Sequence, residues 1–234
     1  MTPGVYQINF RGLTLREAWR FGGSPFRFAL ALVLKANAHR AGKLWLPAHE
    51  AEAPCPEADL SPEARLHLLP VVTAARDLGY TEGRFGRMIR ILDPAMKQGF
   101  SYLALHRDRQ RGLSVGFVVN HAAGVTRNVV VLTGALVGAD GTNHEFLNHR
   151  QHFDNGGLTR KHQLRRGTVA ELDTALQAFM AAARDTFRSF DNVAELKAYL
   201  QSVEEQSFER NVARGLFRYV GHANPPPLPG EGRS

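Results

Sequence analysis

The residues best able to do chemistry crowd one stretch of the chain: His144, Glu145, His149, His152 and Asp154, with His162 a little further on. Imidazole and carboxylate groups are the usual ligands of zinc and related divalent metals, and His149 and His152 share a face if the segment is helical. The spacing is not that of a zinc-protease helix, in which two histidines lie four apart around a glutamate. His144 and His149 are separated by five positions and diverge by roughly 140° on an ideal helix. The cluster supports a His-dependent hydrolase or nuclease built on His144, His149, His152 and Asp154, with a divalent metal as cofactor. The simpler reading is a polar connection between sheet and helix that is merely rich in histidine, because spacing alone does not supply ligand geometry. A second acid–base pairing joins His121, expected on a hairpin loop, to Asp93 or Asp108.

Nucleophilic catalysis has no support. The chain lacks a Gly-x-Ser-x-Gly elbow, and Cys55 stands in a proline-flanked loop with no base beside it. The glycines of Gly83-Arg84-Phe85-Gly86-Arg87 neither follow a clear strand nor open a clear helix, and no Walker Gly-Lys-Ser/Thr occurs, which disfavours a nucleotide-phosphate loop.

The other chemistry on offer is anion binding. Arg107, Arg109 and Arg111 crowd one turn, and Arg160, Lys161, Arg165 and Arg166 form the densest basic run, just ahead of a helix N-terminus. If turn and run lie on one side of a sheet, they make a surface that tracks phosphates, with Phe85, Tyr102 or Phe153 available to stack on unpaired bases. Cations in a first helical turn oppose the helix dipole by ~0.3–1 kcal/mol, which a bound anion would relieve.

The whole composition leans the same way. Lys and Arg number 29 against 22 Asp and Glu in 234 residues, a formal charge of +7. Such a balance favours encounter with nucleic acid or an acidic protein without fixing either. A hydrophobic fraction of 44% is that of a chain able to bury a core. With Cys55 alone, an intramolecular disulfide and Cys-rich zinc or iron–sulfur sites are excluded. Met1–Phe10 has no secretory pattern, and the apolar run from Phe26 to Leu34 is interrupted by Arg27 and too short to span a bilayer. The expectation is a cytoplasmic protein with no membrane partner.

Elements that position these residues follow from periodicity and capping. Val5–Phe10 reads as a short strand. Thr14 with Glu17 has capping-box spacing and opens a helix, and Ser24-Pro25 starts a second, expected to run from Phe26 to Ala41. That second helix is apolar on most sides, which predicts burial and argues against a DNA-reading helix. Ser61-Pro62 opens a helix to Leu78 that Pro70 should bend or divide.

From Arg87 to Val137 the period becomes that of strands: Met88–Leu92, Phe100–His106, Leu113–Val119 and Asn128–Val137, the last central and covered on both faces. Thr168 with Glu171, and Asn192 with Glu195, open two further helices. The expected architecture is α+β, an antiparallel meander of about four strands packed against N-terminal and C-terminal helices, as one domain over 1–223. A Pro-rich tail over 224–234 follows, whose Pro226-x-x-Pro229 meets the minimal extended-ligand pattern.

The functional expectation is a nucleic-acid-binding protein that holds phosphates on Arg107, Arg109, Arg111, Arg160, Lys161, Arg165 and Arg166, largely without sequence preference and without a cofactor. The metal-dependent hydrolase stands as one alternative. An adaptor or assembly subunit that meets an acidic protein is the other.

Overall fold

The computed structural model describes residues 4–22, 24–37, 39–45, 52–89, 96–122, 125–149, 157–164, 167–183 and 186–221. Among these residues it is an α+β fold with two sheets. The larger contains seven strands in the order β3-β4-β5-β6-β7-β8-β9: β3 Glu52–Pro54, β4 Glu82–Met88, β5 Met96–Leu105, β6 Gly112–Ala122, β7 Val125–Val137, β8 Asn143–Leu147 and β9 Thr159–Gln163. Neighbours from β3 to β8 are antiparallel, and β8–β9 is parallel. The smaller sheet, in the order β10-β1-β2, joins β1 Val5–Asn9 to β2 Arg40–Trp45 and β10 Phe217–Gly221.

The expected meander of four strands is therefore the centre of a larger mixed sheet. The first of those strands lies earlier than periodicity suggested, at Glu82–Met88. Gly83 and Gly86 dilute its apolar pattern, because neither contributes a side chain to alternate. β8 and β9 are polar, short strands with no period-2 signal, and they occupy the stretch read above as a connection.

Register divides the side chains between two faces. On one face Phe85, Tyr102, Val115 and Leu132 form a cross-strand row, and Phe100 pairs with Phe117. This face is covered by α3 (Pro62–Asp77) and α4 (Val169–Ala182), through Leu68, Val72, Leu172 and Leu176. Each such large side chain contributes about 1.5–3 kcal/mol of burial. Gly134 lets α4 approach closely: a Cβ there would lie 2.8 Å from Leu172 Cδ2 and 3.0 Å from Leu176 Cδ1. The opposite face is met by α5 (Val193–Ala213), where Val193 and Leu196 pack with Leu105 and Val137.

Side-chain caps explain the helix starts. Thr14 and Glu17 close a reciprocal capping box, with Thr14 N–H donating to Glu17 Oε2 at 2.8 Å and Glu17 N–H to Thr14 Oγ1 at 3.2 Å. Ser61, Thr168 and Asn192 accept in the same way from Ala64, Glu171 and Glu195. Pro70 does not divide α3, which runs unbroken from Pro62 to Asp77. The helix is held by its buried stripe of Ala64, Leu68, Val72 and Ala75, enough to override one missing backbone donor.

The N-terminal helices depart most from expectation. α1 (Leu15–Gly22) and α2 (Pro25–Ala36) form a hairpin beside the small sheet, and α2 stops five residues before the expected Ala41, because residues 40–45 are needed as β2. Nor is α2 buried: among its residues only Ala31 is, while Phe26 is 81% exposed. The hairpin is anchored by Glu17, 1% exposed, which accepts from Arg214 Nη1 at 2.7 Å and Nη2 at 2.6 Å. Arg214 also donates to Gly12 O and to Asn211 Oδ1.

Candidate functional site

The basic turn is largely committed to internal contacts. Arg111 is 7% exposed; its Nε donates to Asp108 Oδ2 at 2.7 Å and its Nη1 to Asp173 of α4. Its Nη2 lies 3.0 and 2.9 Å from the two ring nitrogens of His106. Tyr80 donates to Asp173 Oδ1 at 3.0 Å and Gln177 to Oδ2 at 2.7 Å, so the buried carboxylate is fully met. Backbone donors of Gln110 and Arg111, with the Arg111 side chain, hold Asp108 down at about 2 against the opposing effect of its burial. Arg109, at φ 66°, pairs with Glu82 at 2.6 Å and donates to Asp191 O at 2.8 Å. Arg107 faces solvent.

Arg160 and Lys161 lie on β9, at the same end of the sheet as that turn, with β7 and β8 between. Arg160 is exposed, whereas Lys161 stands opposite Glu145 in the β8–β9 register. Arg165 and Arg166 lie outside the described residues, as does Phe153.

The histidines sort by strand parity. β8 is extended, so the helical face proposed for this segment does not form at its start. His144 points with Phe146 towards α4, where its ring lies 4.7 Å from Phe179 and 5.6 Å from His162. His162 stacks on Phe146 at 4.5 Å, and desolvation, then Arg160, lowers its pKa. His149 follows β8, its pKa lowered by desolvation and then by Lys161, with Nδ1 buried and unpartnered among the described residues. His152 and Asp154 lie outside the described residues, within which no group of three or more His, Cys, Asp or Glu is placed to hold a metal. His121 hydrogen-bonds Thr126 at 2.9 Å, at the far end of β6 from Asp108, so that pairing does not form; Asp93 is outside the described residues.

A different set of residues converges where α5 crosses the sheet. Register aligns Gly86, Ser101 and Gly116 in one cross-strand row and Ser114 with Thr133 in the next, so the sheet beneath α5 is floored by small and hydroxyl side chains. The helix therefore stands over a cleft of about 360 Å³ that continues into a second recess of about 120 Å³. Its roof is Lys197, Leu200, Gln201 and Glu204, at positions i, i+3, i+4 and i+7 on one face of α5. Glu145 of β8 lines the recess, and Glu52 of β3 and Arg84 of β4 line the larger part.

The electrostatics of the cleft are uneven. Glu52 is neutralised by Lys197 at 2.7 Å and also accepts from Ser101. Glu145 accepts from Asn143 at 3.1 Å, and desolvation raises its pKa despite the nearby Lys161. Glu204 has no hydrogen-bond partner among the described residues. It is exposed where the cleft meets solvent, between the larger part of the cleft and the recess. Desolvation, reinforced by Glu145 and Glu52, pushes its pKa up to about 7.

Sequence reasoning missed this cleft. The available signal was Lys197, Leu200, Gln201 and Glu204 on one stripe of a helix, a polar interruption between Val193/Leu196 and Phe208/Val212. Compared with protein-family models, curated proteins and solved structures, the chain matches none, so its function is argued from this geometry alone.

Proposed function

We propose that the protein binds a small organic molecule bearing a protonated amine, in the cleft between α5 and the large sheet. The observation that carries this reading is Glu204, a carboxylate without a partner among the described residues, over a floor of Ser101, Ser114 and two glycines. A cavity that is partly apolar, with a few convergent polar groups and a perturbed carboxylate, is the usual form of a small-molecule site. An ammonium group would meet Glu204, and hydroxyl groups of the ligand would meet Ser101 and Ser114.

Putrescine serves as the probe. Because its charge favours ionised Glu204, binding is expected to tighten as pH rises from 6 to 8 and to release a proton below about pH 7. Calorimetry in buffers of different ionisation enthalpy measures that release. Glu204→Gln should remove it and weaken binding about ten-fold, the effect of losing one charge-assisted hydrogen bond. Binding that is absent, or independent of both pH and Glu204, would refute the reading.

A second reading, binding of nucleic acid phosphates, is favoured by one observation: Arg107 and Arg160 are exposed at the same end of the sheet. With Arg109 and Arg111 paired internally, few contacts remain on the turn. Binding to short single-stranded RNA or DNA should then fall by only about two powers of salt, roughly one for each phosphate contact. Salt-independent affinity, or affinity unchanged in Arg107→Glu/Arg160→Glu, would exclude it.

A further inference from the structure

Helix α5 lifts away from the large sheet along β6. A Cβ added at Gly112 would lie 2.9 Å from Leu196 Cδ2, so the helix sits directly on the strand there. Four residues on, a Cβ added at Gly116 would meet only Val131 at 3.7 Å, its partner within the sheet. Exposure along the strand follows the same divergence. Leu113, Val115, Phe117 and Val119 are buried on the far face, whereas Ser114, Gly116 and Val118 are half-open on the face towards α5. The floor of the cleft changes character in that direction. Ser114 and Thr133, which share the recess with Glu204, give way to the row of Gly86, Ser101 and Gly116, and then to Gly99, Val118 and Val129. Met88 lies across Gly99, where an added Cβ would collide with its Sδ. Met88, Gly116, Val118 and Glu204 line one and the same cleft, so its acidic and apolar parts are continuous.

Charge and length select the occupant. The row of Gly99, Val118 and Val129, with Met88, carries no charge, and the next polar pair along the hairpin is Asn120 opposite the exposed Arg127. An ammonium group therefore has its counter-charge at Glu204 and none at the Val118 end, where Arg127 would repel it. A carboxylate head would be set against Glu204 and the nearby Glu145. From Ser114 to Val118 is roughly 13 Å of extended strand at ~3.3 Å per residue, which an ammonium head and a chain of about eight carbons cover. Glycine inside a strand commonly marks a place where another group approaches the backbone closely, and at Gly116 no side chain of the protein takes that space.

We infer that the ligand is an amphiphilic monoamine, which rests on the amine site proposed at Glu204. Its ammonium group meets Glu204, and its alkyl chain lies over Gly116 and against Met88 and Val118. The methylenes replace water over a floor that cannot hydrogen-bond it, which supplies affinity, while the single carboxylate at one end fixes the direction in which the chain lies.

The test titrates n-butylamine, n-octylamine, 1,8-diaminooctane and octanoate into the full chain at pH 8, read by calorimetry. A fully buried methylene is worth about four-fold in affinity, and one left open to solvent on one side about two-fold. Octylamine should therefore bind on the order of ten-fold tighter than butylamine, with a more negative heat capacity of binding. The diamine should bind no tighter than octylamine, and octanoate, which only Arg84 could hold, should not bind. Gly116→Val fills the space above the strand and should bring the octylamine-to-butylamine ratio close to one, with Gly116→Ala between that and the wild type. Both variants should keep the wild-type circular dichroism, since a Cβ has room there. Equal affinity for the two monoamines, lost in Glu204→Gln, overturns the apolar half of the ligand and leaves the amine site standing. So does a chain-length preference indifferent to both Gly116 variants, or tighter binding of the diamine. Octylamine and octanoate bound alike and unaffected by Glu204→Gln, or no amine bound at all, overturns the inference and the amine site together.

Discussion

Glu204 and Arg111 show how differently two charged side chains can be treated by one fold. Arg111 is enclosed but satisfied, with Asp108, Asp173 and His106 around it, and acts as a clamp between the β5–β6 turn and α4. Removing one partner from such a network leaves a buried charge unmet, a loss of about 3–5 kcal/mol in comparable pairs. Glu204 is the reverse case, open to solvent and without a protein hydrogen-bond partner among the described residues. Its pKa in the folded chain, about 7, lies above the ordinary 4.5, so the folded protein binds more protons than the unfolded one between those values. Stability is accordingly lost as pH rises through that window. Glu204→Gln should leave stability unchanged near pH 4 and raise it at pH 8, as denaturant titrations at the two pH values would register. A stabilisation of equal size at both would mean that the carboxylate is not perturbed. Sequence could reveal neither case. Arg107, Arg109 and Arg111 look alike as a basic turn, and only the tertiary position of Asp173, 62 residues from Arg111, separates the buried one from its neighbours.

At the scale of elements, capping and strong periodicity were legible and weak periodicity was not. Thr14, Ser61, Thr168 and Asn192 each begin a helix as their side-chain chemistry requires, and the alternation of Leu113, Val115, Phe117 and Val119 marks β6. β8 and β9 escaped because Asn143-His144-Glu145 and Thr159-Arg160-Lys161 carry polar residues on both faces, one towards α4 and one towards the α5 side. α2 misled for a related reason: an apolar helix reads as buried, whereas sequence cannot say whether the second apolar face is covered within the chain. The seating of α4 rests on Gly134, and this can be measured. Gly134→Ala brings a methyl to within 3.0 Å of Leu172 Cδ2 and Cγ and of Leu176 Cδ1, and should destabilise by about 1–3 kcal/mol through overpacking. Gly116→Ala, whose Cβ would meet only Val131 at 3.7 Å, is the control expected to fold normally.

Across the whole molecule, α5 is the element shared by both sheets. Val193 and Leu196 belong to the core of the larger one, and Phe208 and Val212 pack on the core of the smaller, with Phe208 4.8 Å from both Tyr6 and Phe217. The cleft lies between these two footings. The small sheet has the thinner core, so Tyr6→Ala should speed amide exchange in β1, β2 and β10 while β5, β6 and β7 keep their protection. Uniform acceleration in both sheets would instead show a single cooperative unit.

The pairing of β1 with β10 also imposes an order of events during synthesis. Val5–Asn9 is made about two hundred residues before its partner Phe217–Gly221. Throughout that interval β1 has only β2 beside it, Tyr6 and Ile8 lack Phe217, and Glu17 lacks Arg214. The hairpin that displays Trp19 and Phe26 is therefore seated late, and a nascent chain halted before Arg214 would present those side chains on an unanchored pair of helices. A chaperone able to hold apolar, basic segments would have its work at that stage, and would be displaced when the last strand closes the sheet.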